Sequence, residues 1–208
     1  MHTTLRKLIA ALYATLALTG CATTHSTLPE ERSPLLALPA HAERPEDPDL
    51  VVERHAVVEG EPEELYAALA DVASWPAWMP TMTRTGAHAG RPLHAGDGFY
   101  QEPVGYRVEA KVLDAVPGRL LRWRGEADGI VGVHSVQFFG LGEGKSLVIN
   151  REEFHSGWLR LVGWATDAGI GDAFSATNEA LELRVAALRS ERTEASLQPE
   201  APAESARR

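Results

Sequence analysis

Tyr106, His134, Arg151 and the Glu152–Glu153 pair are the side chains of this 208-residue sequence whose types could carry acid–base chemistry. An imidazole such as that of His134 can accept and return a proton near neutral pH when a second polar group orients it. His134 lies in a segment that reads as a strand, where a lone histidine is more often a hydrogen-bonded core residue. Tyr106 shares an apolar strand face with Val108, Ala110 and Val112. His134 and Tyr106 are therefore weak candidates, and no residue is assigned as catalytic. Arg151, Glu152 and Glu153 read as a solvated cross-strand charge set. His88, His94 and Asp97 have the types that zinc prefers, but Ala89-Gly90-Arg91-Pro92-Leu93 between them reads as a loop without helical i, i+4 geometry, so no metal is expected. Gly140-x-Gly142-x-Gly144 lies in a hairpin rather than at a helix start, and there is no Gly-x-Ser-x-Gly elbow. No cofactor is expected.

The elements that must position these residues follow from periodicity. Residues 50–58 are a β-branched run, broken by Gly60-Glu61-Pro62. Pro62 suits a first helical position, and Glu61, Glu63 and Glu64 favour the positive end of a helix whose apolar face holds Leu65, Leu69 and Val72. Trp75 to Pro80 reads as a short second helix or turn. Residues 106–112 alternate, Pro117-Gly118 is a turn, and Leu121 and Trp123 oppose Arg122 and Arg124. Residues 131–141 and 145–154 are two more strands joined by Gly142-Glu143-Gly144. Ile170, Phe174, Thr177, Leu181, Val185 and Leu188 then form a helical apolar stripe. An antiparallel sheet with one buried face and a long closing helix is an α+β fold. Gly157, Gly163, Gly169 and Gly171 gather before that helix. They fit either a late start capped by Asp172 or a loose turn beside a cavity.

The N-terminus reads as an export signal. Arg6 and Lys7 precede an apolar stretch, residues 8–18, too short to span a bilayer. Leu18-Thr19-Gly20-Cys21 resembles the lipobox of bacterial lipoproteins. That resemblance implies lipidation of Cys21, removal of residues 1–20, and a membrane anchor. Ala22 after the cysteine implies the outer membrane, facing the periplasm. Residues 21–49, with prolines at 29, 34, 39, 45 and 48, read as a tether. Residues 50–189 make one domain, and 190–208 read as a disordered tail. The net charge of −9 and the lack of a basic stripe argue against a nucleic-acid partner.

Glu61-Pro62-Glu63-Glu64-Leu65-Tyr66, followed by Trp75, Trp78 and Pro80, resembles the opening of the SRPBCC or START-like superfamily, also called polyketide cyclase/dehydrase-like. Leu121-Arg122-Trp123-Arg124-Gly125 and Gly132-Val133-His134 resemble its middle, and Glu153-Phe154 with Gly157-Trp158-Leu159 its last strand and exit. The resemblance implies a helix-grip fold, a curved antiparallel sheet around a C-terminal helix with a hydrophobic cavity between them. All five tryptophans lie between residues 75 and 164, which fits a pocket of large amphipathic side chains. They would equally cap the two ends of a core. The expected lining is Trp75, Trp78, Met82, Phe99, Tyr106, Trp123, His134, Phe138, Trp158 and Phe174. The expected partner is a hydrophobic small molecule or lipid. An enzyme acting on an aromatic or polyketide-like substrate, and an envelope scaffold gripping a partner protein, are the alternatives. Oligomeric state is not legible.

Overall fold

The computed structural model describes residues 47–87, 91–156 and 163–197, with side chains of 163–167 excepted. The first strand, β1 (Leu50–Glu59), runs antiparallel to the last, β7 (Lys145–His155), pairing Leu50 with Phe154 and Glu59 with Lys145. Between them stand β2 (Met82–Gly86), β3 (Gly98–Pro103), β4 (Val108–Val116), β5 (Leu120–Ala127) and β6 (Ile130–Gly142). The sheet order is β1-β7-β6-β5-β4-β3-β2, and every neighbouring pair is antiparallel.

After β1 the chain enters α1 (Pro62–Ala70), where the Glu61 N–H donates to Glu64 Oε2 at 3.3 Å. This contact satisfies one donor at the helix start, and Pro62 has no N–H to leave unpaired there. Leu65, Tyr66 and Leu69 are buried toward the sheet. A 3₁₀ turn (Val72–Ser74) and the four-residue α2 (Trp75–Trp78) follow. The β6–β7 turn places Glu143 and Gly144 at φ of 53° and 72°, the left-handed pair that a two-residue hairpin demands.

The closing helix α3 (Gly163–Leu197) packs chiefly on β1 and on α1, burying Phe174, Asn178, Leu181 and Val185. This is the helix-grip arrangement. Two boundaries differ from the sequence reading. The helix begins well before Asp172, and Gly171 lies within it because a Cβ there would come 1.9 Å from Arg54 Nη2. Glycine thus lets the Arg54 guanidinium of β1 lie against the helix. At the other end, helix rather than disordered tail continues from 190 to Leu197, since Arg189 and Arg192 both reach back to Glu64 on α1. β2 and β3 were not foreseen as strands. They are short, polar and joined by a loop, so neither shows a sustained period.

Candidate functional site

A cavity of about 230 Å³ lies between the concave face of the sheet and α3. Its origin is visible in the pairing of β5 with β6. Trp123 stands opposite His134, and the next inward pair, Gly125 opposite Gly132, carries no side chains at all. Val108 and Glu152 reach over those two glycines, and all four residues line the cavity.

One wall is aromatic. The Trp75 indole, fixed by a 2.8 Å bond from Nε1 to the Leu69 carbonyl, lies 5.7 Å from the Trp123 ring. Trp123 stacks on His134 at 4.3 Å and 11°, and His134 meets Phe174 of α3 at 4.9 Å. Met79 and Met82 complete this end with polarizable, adaptable surface. At the other end the β3–β4 turn contributes Val104 and Tyr106, and the first residue of β6 contributes Ile130. Burial pushes the Tyr106 hydroxyl up to about 12, and the neighbouring Asp128 carboxylate adds to the shift. Val104 and Asp128 both adopt left-handed backbone (φ 46° and 48°), a costly conformation for a β-branched residue such as valine.

The other wall carries a polar chain. Asn150 Oδ1 lies 2.7 Å from His134 Nε2, and Asn150 Nδ2 donates to Asn178 Oδ1 at 3.4 Å. Glu152 Oε2 stands 3.5 Å from His134 Nδ1. The register explains the cluster: Asn150 and Glu152 alternate inward on β7, and Glu152 pairs with His134.

Of the expected lining residues, Trp75, Met82, Tyr106, Trp123, His134 and Phe174 lie on the cavity wall. Three lie elsewhere. Trp78 is half-buried, its Nε1 bonded to Ser74 Oγ at 3.0 Å. Phe99 packs behind the wall, edge-on to Trp75 and Trp123. Phe138 is core, edge-on to Tyr66. Trp158 and His88 lie outside the described residues, as does Cys21. Tyr106 sits in the turn before β4 rather than on a strand face, its N–H bonded to the Pro103 carbonyl. Glu152 is a correction: it faces the cavity, while Arg151 and Glu153 face outward and pair at 2.7 Å. Met79, Asn150 and Thr177 also line the cavity and were missed. Alternation on β7 could have revealed Asn150 and Glu152 once His134 was placed inside. In the 91–97 loop, Asp97 accepts two bonds from Arg91 at 2.7 and 2.8 Å and one from the His94 N–H, which holds its carboxyl well below the usual range.

Residues 49–186 match the family model described as polyketide cyclase / dehydrase and lipid transport. The chain belongs to that family. No curated protein matches it. Among solved structures, this family member is similar to a hypothetical protein from Helicobacter pylori, at 19% identity and a TM-score of 0.58, covering 79% of this chain and 99% of that one. A START superfamily protein from Mycobacterium smegmatis follows at 17% identity and 0.56, covering 66% and 98%. An aromatase/cyclase from a Streptomyces species matches at 13% identity and 0.54, covering 72% and 98%. At these identities the likeness establishes the shared START-like fold. A ligand-binding cavity is what membership of the family leads one to expect, and the space between sheet and helix supplies it.

Proposed function

We propose that this chain is a membrane-anchored lipoprotein whose START-like domain takes a hydrophobic small molecule or lipid into its cavity. The observation that carries the reading is the cavity walled by Trp75, Trp123, Met79, Met82 and Phe174, mostly apolar with a few polar groups along one side. Such a lining suits a buried apolar ligand, and the family's description includes lipid transport. The anchor rests on Leu18-Thr19-Gly20-Cys21, with residues 22–49 as the tether from an outer-membrane surface into the periplasm.

The test is to express the chain from Glu46 onward, record native mass spectra, and extract it with organic solvent. A stoichiometric apolar molecule is the expected result. A protein that stays empty after incubation with envelope lipids overturns the binding reading. For the anchor, the full chain in bacteria fed labelled palmitate should carry label that Cys21→Ser abolishes. An unlabelled parent chain removes the anchor.

A second reading is an acid–base enzyme acting on an aromatic or polyketide-like substrate. It is favoured by the His134 Nδ1 to Glu152 Oε2 approach of 3.5 Å beside an otherwise apolar cavity. Turnover of the extracted ligand that His134→Gln abolishes, with binding retained, would decide for it.

A further inference from the structure

The polar wall restricts which head group an apolar ligand can bring into the cavity. Glu152 is the one acidic side chain on that wall among the described residues. Its carboxylate lies over Gly132, where a Cβ would come 2.4 Å from Oε1. Glycine at 132 is therefore what allows the carboxylate to occupy this place. His134 Nδ1 faces Glu152 Oε2, and His134 Nε2 faces Asn150 Oδ1, so both ring nitrogens are engaged within the wall. Asn150 is in turn bonded to Asn178 behind it. Thr177 Oγ1 donates to the Ala173 carbonyl, and the Asp128 carboxylate lies near enough to the Tyr106 hydroxyl to raise its pKa. Glu152 Oε1 has no hydrogen-bond donor among the described residues.

An unmatched acceptor carrying charge in an apolar cavity welcomes a donor and repels an anion. Resting on the binding reading above, we infer that Glu152 selects an apolar ligand whose head donates a hydrogen bond and carries no negative charge, such as an alcohol, and rejects the carboxylate of the same chain length. Glu152 is then the specificity-determining residue, Gly132 its seat, and the His134–Asn150–Asn178 chain its support.

The test uses the full chain on phosphatidylcholine vesicles at about pH 8.5, where decanoate is ionised. Apparent affinities for decanol, decanoate and decane are read from ligand-induced shifts of the thermal midpoint. The quantity compared is the decanol-to-decanoate affinity ratio in the parent chain divided by the same ratio in Glu152→Gln, in which partitioning into the vesicle cancels. The parent ratio should be on the order of tenfold larger, because the variant admits decanoate. A parent ratio equal to that of Glu152→Gln overturns the inference. If decane binds both proteins while the heads are not distinguished, the head-group inference alone fails. If none of the three ligands shifts either midpoint, the cavity reading fails with it. Should Glu152→Gln not melt cooperatively, Glu152→Asp, which withdraws the charge by one methylene, must give a smaller decanol-to-decanoate ratio than the parent, and an unchanged ratio overturns the inference.

Discussion

Along β7, Arg151 and Glu153 point outward while Asn150 and Glu152, one residue away on either side, point into the cavity, and the two sets are wired differently. Outside, Arg151 bonds Glu53 at 3.0 Å and Glu153 at 2.7 Å, and Glu53 also meets His55 at 2.7 Å. Burial pushes the Glu53 carboxyl up, but its contacts with Arg151 and His55 outweigh that and hold it below its ordinary value. Every charge there has an opposite charge beside it, and the side chains remain about 27–33% exposed. Inside, His134 and Glu152 are 13% and 19% exposed, the amides carry much of the bonding, and Glu152 Oε1 meets no donor among the described residues. Outward-facing ions mostly satisfy one another and hold β1 to β7. Inward-facing polar groups bond one another along one side of an otherwise apolar cavity.

The contrast can be pressed at four points. Trp123→Ala, which removes a 4% exposed indole packed on Trp75, Phe99 and His134, should cost about 3–5 kcal/mol by denaturant titration and weaken ligand capture. A change under about 1 kcal/mol would mean that it lines open space and holds nothing together. Asn150→Ala leaves His134 Nε2 and the Asn178 amide without their partner in a site only 1% exposed, and should cost about 1–3 kcal/mol. Arg151→Ala, on the outer face one residue later, should cost no more than about 1 kcal/mol. Equal losses from these last two would erase the distinction between the faces.

The smallest effect belongs to another outer ion pair. The hydrogen bond from Arg189 holds Glu64 at about 2, against an ordinary 4.5, with partial burial opposing the shift and Arg192 assisting. A depressed carboxyl stabilises the fold above its unfolded value and loses that contribution as pH falls through its folded one. Glu64→Gln should therefore cost under about 1 kcal/mol at neutral pH, given the solvent exposure of the pair. Melting curves of parent and variant should converge between pH 4.5 and about 2.

Most of the frame was legible because its signals are local. The break at Gly60-Glu61-Pro62, the turn at Pro117-Gly118 and the hairpin at 142–144 stand where the residue types demand them. The α3 stripe was readable from spacing alone, but its start was not. Gly171 reads as a helix breaker until Arg54, more than a hundred residues earlier, is seen to occupy the place of its Cβ. The cavity wall was half legible for the same reason. Large rings advertise themselves, so Trp75, Trp123 and Phe174 were named, but ring size does not tell wall from packing behind the wall, and Phe99 and Phe138 went astray. Asn150 and Glu152 were hidden because strand parity is meaningless until one neighbouring residue has been assigned a face. Here that residue is His134, whose register partner is Glu152.

The pairing of β1 with β7 also has a consequence in time. The partners Glu59 and Lys145 are 86 residues apart, and Leu50 and Phe154 are 104 apart (145 − 59 and 154 − 50). A ribosome adding roughly 5–20 residues each second leaves β1 without its partner for about 5–20 s. Throughout that interval the helix α3, made later still, cannot dock on β1 either. Closing such distant contacts is slow even after synthesis ends. The sheet therefore completes late, and a chain emerging N-terminus first stays open, able to be threaded or captured, until its last strand has been made.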